Sequence, residues 1–167
     1  MPTITVRRFD YEALKALLRP EDSIVIFSCD SCARLSDGLG GEQGLNALVD
    51  KLIADGFDVL HRELLPVACS AEQLKERLQG ETMRELLAEA DVVIPLACAA
   101  GETEMGEVFS GVRILHVTKT LGSGSFSPET GARLTEPLAD VELEIDGAEG
   151  ISLSEAADRL GLHSGEF

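Results

Sequence analysis

The stretch from Ser23 to Gly44, "SIVIFSCDSCARLSDGLGGEQG", decides the fold. Its first six residues are a continuous apolar run of strand length, and such a run suits a strand covered on both faces, as in a parallel sheet flanked by helices. The run ends on two cysteines, Cys29 and Cys32, and the chain then turns glycine-rich at Gly38, Gly40, Gly41 and Gly44. From Glu42 to Ala54, Leu45, Leu48, Val49, Leu52 and Ile53 share one helical face, and Asp55–Gly56 supplies the stop. The stretch therefore reads as a β-α unit whose connecting turn carries a CxxC pair.

Working outward, the same alternation recurs. "FDVLHREL" at 57–64 is a second strand. Ser70 with Gln73 three residues on forms a capping-box pattern, and Leu74, Leu78, Leu86 and Leu87 mark helical segments up to Glu89, divided near "QGET". "DVVIPLAC" at 91–98 is a third strand, "ETEMGEVF" a short helix, and "VRILHV" at 112–117 a fourth strand. Ahead of the first strand, Phe9, Leu14, Leu17 and Leu18 give a short leading helix. Residues 118–139, rich in Gly, Ser, Thr and Pro, read as a long loop, "VELEIDG" as an edge strand, and "SLSEAADRLGL" as a terminal helix begun by Ser152 or Ser154. Strands alternating with helices predict an α/β fold with a three-layer open parallel sheet, flavodoxin-like or Rossmann-like. A single domain over 1–167 is expected, its core at about 22–138 and a C-terminal extension over 139–167.

Composition bounds the function. At 167 residues the chain buries enough surface for a core without disulfide staples. Aromatic residues are only 4% with no Trp, so Leu, Val, Ile and Ala must build that core. The net charge of −16 repels a phosphate backbone or an anionic leaflet, which makes nucleic acid and membrane surfaces poor partners. "MPTITVRRFDYEAL" lacks the apolar segment of a signal peptide, and no apolar run reaches the ~20 residues of a membrane span. A cytoplasmic location is expected, where four cysteines point to metal or redox chemistry before disulfides.

Placing the cysteines on this outline is the informative step. Cys29 and Cys32 follow the first strand, Cys69 follows the second, and Cys98 closes the third. Each lies at or just past the C-terminal end of a strand, the edge where open α/β sheets form ligand sites. Free cysteine also serves as a small buried hydrophobe, which would account for Cys69 or Cys98 singly. It accounts poorly for four thiols on one edge, two of them at chelating spacing. Three chemistries compete. A redox dithiol would use Cys29 and Cys32 alone and leave the others unexplained. Tetrahedral zinc takes four thiolates and tolerates a CxxC with two dispersed partners. A four-iron, four-sulfur (4Fe-4S) cluster also takes four thiolates, from denser ligand runs than this one.

Other candidates are weaker. "DGLGGEQG" departs from the GxGxxG phosphate loop and reads as flexible backbone around a metal, with a nucleotide-binding module as the rival. His61, His116 and His163 show no partner that suggests catalysis, and acidic pairs such as Glu102 with Glu104 or Glu142 with Glu144 read as solvated faces.

The segments "SIVIFSCDSCARLSDGLGGEQGLNALVDKLIADGFDV", "PVACSAEQL" and "ADVVIPLACAAGETEMGEVF" resemble the methylenetetrahydrofolate reductase C-terminal domain family, which includes MetV subunits that pair with flavin-containing MetF-type reductases. The resemblance covers about residues 22–138, with "KTLGSGSFSPETGARLTEPL" similar to that family's loop after the fourth strand. It implies that Cys29, Cys32, Cys69 and Cys98 hold a metal centre. It also implies a non-catalytic accessory or electron-transfer subunit that partners a methylenetetrahydrofolate reductase-type flavoenzyme, or another redox protein, in one-carbon metabolism. Longer members continue into a second cysteine-rich segment, whereas here "LTEPLADVELEIDG" follows and no fifth cysteine exists. A multi-cluster wire within this chain is thereby excluded, and the 4Fe-4S cluster and Zn2+ both stay open.

Overall fold

The computed structural model describes residues 1–167. Four parallel strands form one sheet: β2 (Ser23–Cys29), β3 (Asp58–Leu65), β4 (Val92–Leu96) and β5 (Arg113–Ile114), in the order β3-β2-β4-β5. The chain first steps from β2 to β3 on one side, then crosses back to place β4 on the other. In units of the parallel strands this is 2-1-3-4, the start of the flavodoxin-like order and not the 3-2-1-4 of the Rossmann type. Each apolar run serves two faces. Ile24 and Ile26 join Val92, Ile94 and Leu96 beneath α1 (Tyr11–Ala16) and α3 (Gly41–Ala54). Val25, Phe27 and Cys29 join Val93 beneath α4 (Ala71–Leu78) and α6 (Ala99–Val108), with α5 (Glu81–Glu89) alongside. These are the three layers the sequence predicts. The caps are the expected ones: Ser70 Oγ accepts from the Gln73 N–H, and the break between α4 and α5 falls at Gln79–Gly80.

The structure differs from expectation at the C-terminal third and at the N-terminus. Residues 118–139 are not a loop. They form the hairpin β6 (Thr118–Ser127) and β7 (Gly131–Pro137), which joins β1 (Thr3–Arg7) and β8 (Ile151–Ser152) in a second sheet, antiparallel throughout, of order β1-β6-β7-β8. Glycine misled the reading for a physical reason. A Cβ on Gly124 would lie 1.9 Å from Arg133 O and 2.8 Å from Ile4, so this glycine marks close backbone approach inside a sheet, not a flexible loop. Only Arg113 and Ile114 of the expected fourth strand pair regularly, because the chain leaves the sheet to enter β6. "VELEIDG" forms no strand. Val141, Leu143 and Ile145 still pack on the second core, while β8 takes the place beside β7.

That second core comprises Ile4, Val6, Leu121, Leu134, Leu153 and Ala157 among others, with α7 (Leu153–Leu160) laid over the sheet and capped by Ser152. The extension over 139–167 thus completes the antiparallel unit. It also ties the cores together. Arg7 on β1 donates to Gly165 O at 2.9 Å and stacks 4.9 Å over the ring of Phe167, which is buried in the core of the parallel sheet. No helix is long and apolar enough to cross a membrane.

Candidate functional site

The strand order reverses between β2 and β4, so the crevice where such sheets bind ligands opens at the carboxyl ends of these two strands. Cys29 is the last residue of β2, and Cys32 opens the short α2 (Cys32–Leu35). Cys98 is the N-cap of α6, just past β4, and Cys69 lies in the connection from β3 to α4. All four therefore sit at the edge the sequence assigns them, and all are free thiols. Their exposure is graded. Cys29 and Cys98 are buried at 4% and 6%, Cys32 is half-buried, and Cys69 is exposed.

Cys98 reports on its surroundings. Burial raises its thiol pKa above the ordinary value, and the backbone N–H groups of Gly101 and Ala100 oppose this by facing the sulfur, without closing a full capping bond. The electrostatic influence of Cys32 and Cys69, from two other connections, acts in the same direction as burial. Cys29 packs below in the core that contains Ala33, Ala68 and Ala97. No three His, Cys, Asp or Glu side chains are gathered tightly enough to form a closed metal shell. The four sulfurs form an open set, with Cys69 on its exposed side.

As a self-contained dithiol the CxxC is poorly built. Its first cysteine, which a thioredoxin-like mechanism exposes, is the buried one, and the helix that follows has four residues. The glycine turn likewise differs from the flexible backbone expected. A Cβ at Gly40 would lie 2.7 Å from Ala33 Cβ and 2.8 Å from Cys29 O, so glycine there lets the turn pack directly against the cysteine backbone.

The antiparallel sheet leans on this same edge, a contact that no sequence pattern announced. The Thr5 N–H donates to Ser36 Oγ at 3.1 Å, and that hydroxyl lies 3.0 Å from Cys32 O. The Ala132 N–H donates to Asp37 Oδ1 at 2.9 Å, holding the turn after α2 against β7. Sequence reasoning also misjudged Glu102. It is buried, not on a solvated face, and accepts from His116 Nδ1 at 3.1 Å while the His116 ring stays largely exposed. The recoverable signal was positional: Glu102 is one turn into the helix after Cys98, and His116 follows the last parallel strand. His61 bonds Glu63 at 3.0 Å within β3, and Glu63 also accepts from Arg77 of α4 at 3.0 Å.

Compared with protein-family models, curated proteins and solved structures, the chain matches none. The residues themselves carry the test of fit. Four sulfur donors at the carboxyl edge of one sheet, with backbone N–H groups facing Cys98, suit a thiophilic metal or cluster in donor type, while no three of them are gathered into a closed shell.

Proposed function

We propose that Cys29, Cys32, Cys69 and Cys98 together hold one metal centre, either a 4Fe-4S cluster or Zn2+, and that the chain is an accessory or electron-transfer subunit. The observation that carries this reading is the placement of all four cysteines at the carboxyl edge of a single parallel sheet, around its switch point. A bound cluster would supply one-electron transfer, and zinc would supply a structural cross-link. The chain's own residues do the rest. Buried Cys29 and Cys98 anchor the inner side, the N–H groups of Ala100 and Gly101 offset negative charge on sulfur, and Cys32 and Cys69 form the side that meets solvent and a partner.

The partner proposed is a flavin-containing, methylenetetrahydrofolate reductase-type subunit in the cytoplasm, on the strength of the sequence resemblance around the cysteines. The net charge of −16 suits docking on a basic face, with association weakened by salt. Anaerobic purification followed by metal analysis and a visible spectrum tests the reading. Iron with broad visible absorption supports the cluster, and stoichiometric zinc without it supports the structural alternative. A preparation with neither metal near one site per chain overturns the proposal.

A further inference from the structure

Two side-chain hydrogen bonds from the antiparallel sheet bracket Cys98. Thr118 and Thr120, two residues apart on β6, both reach the connection from β4 to α6. Thr118 Oγ1 lies 2.7 Å from Ala97 O and 2.8 Å from Glu102 Oε1, its one proton shared between these two acceptors, and Thr120 Oγ1 accepts from the Ala99 N–H at 2.8 Å. The two peptides so held lie on either side of Cys98. The Cys98 carbonyl is held as well, accepting from the Glu102 N–H at 2.9 Å. Thr118 is itself locked. It is 2% exposed, and the buried Glu102 that shares its proton accepts from His116 through its other oxygen. With the backbone fixed before, at and after the cysteine, only rotation about its side-chain bond remains to direct the sulfur. Cys69 is itself exposed, and the peptide after it makes a long local turn bond, from the Ser70 N–H to Val67 O at 3.4 Å.

We propose that Thr118 and Thr120 are positioning residues for Cys98, holding its thiol in the direction the centre requires. This rests on the four-cysteine reading above. Groups that orient a metal ligand from behind typically change metal affinity 10- to 100-fold when removed. A merely structural strut between sheets would affect stability and leave the thiol unchanged. The chemistry of the side chains separates the two roles, because Val keeps the shape of Thr and lacks the hydroxyl, whereas Ser keeps the hydroxyl and lacks the methyl. A third variant acts from the other side. Ala99→Pro deletes the N–H that Thr120 accepts and leaves β6 intact, at the first helical position, where Pro is tolerated.

The experiment uses the full metal-free chain. Alkylation of Cys98 by iodoacetamide is followed by mass spectrometry, with Cys69 as internal reference, in wild type, Thr118→Val, Thr120→Val, Ala99→Pro, Thr118→Ser and Thr120→Ser. The same proteins are then titrated anaerobically with Co2+, and the sulfur-to-cobalt charge-transfer band is recorded. The expected result is faster alkylation of Cys98 alone in the Val and Pro variants, Co2+ binding weakened about 10- to 100-fold with a weaker charge-transfer band, and wild-type behaviour in the Ser variants. Unchanged Cys98 alkylation in a folded Val or Pro variant overturns the proposal, and so do Ser variants that behave like Val. If the alkylation pattern holds while no form binds Co2+, the positioning role stands and the metal-centre reading falls.

Discussion

The two sheets meet the cysteine edge in opposite ways. In the parallel sheet, β2 and β4 are buried on both faces, and their long apolar side chains fix where each strand ends and hence where Cys29 and Cys98 emerge. The antiparallel sheet has one apolar face, covered by α7, and touches the edge through short polar groups: Thr118, Thr120 and the Thr5 N–H. The first sheet delivers the thiols by packing. The second orients the loops that carry two of the three cysteine positions by hydrogen bonding. Packing tolerates small changes in direction, and hydrogen bonds do not, so coarse placement and fine orientation fall to different sheets.

The sharpest way to break this division is to damage each core separately. Phe27 is fully buried and stacks on Phe109 with ring centroids 4.9 Å apart, so Phe27→Ala should cost about 3–5 kcal/mol in urea denaturation. Leu134 is its fully buried counterpart in the antiparallel core, and Leu134→Ala should cost about 2–5 kcal/mol. Both variants should unfold in one transition, because Arg7 and Phe167 tie the cores. A separate early transition in Leu134→Ala would show that the second sheet is an independent unit, too loosely coupled to orient anything. Asp37→Ala tests the hydrogen-bonded contact itself. It leaves the Ala132 N–H without its acceptor and should cost about 1–3 kcal/mol, measured by the same denaturation.

The smallest expected effect lies away from both contacts and serves as a reference. The Tyr11 hydroxyl donates to Asp55 at 2.7 Å, and burial together with that bond raises the Tyr11 pKa well above its ordinary value of 10.0. In the unfolded chain the phenol loses its proton first, so this contribution to stability is intact below pH 10.0 and declines as pH rises above it. Tyr11→Phe should flatten the alkaline part of the stability profile and leave Cys98 alkylation unchanged.

These outcomes also explain what could be read without coordinates. "SIVIFS" and "DVVIPLAC" were legible because a strand buried on both faces leaves an unbroken apolar run, and the strand ends then located the cysteines. "TKTLGSGSFS" was illegible because Gly122 and Gly124 mark strand positions pressed against the backbone of β7, and composition alone cannot separate that from a loop. The brief pairing of β5 hid the exit to β6. The hold on Cys98 was illegible for another reason: Thr118 and Thr120 act on backbone groups about twenty residues away, which no local spacing encodes.

The central claim is that the CxxC is half of a site whose other half is Cys69 and Cys98. The most direct test is the metal content of anaerobically purified Cys29→Ser, Cys32→Ser, Cys69→Ser and Cys98→Ser beside wild type. The account predicts about one centre per wild-type chain and a marked loss in all four variants. Full metal content in Cys69→Ser and Cys98→Ser would contradict it.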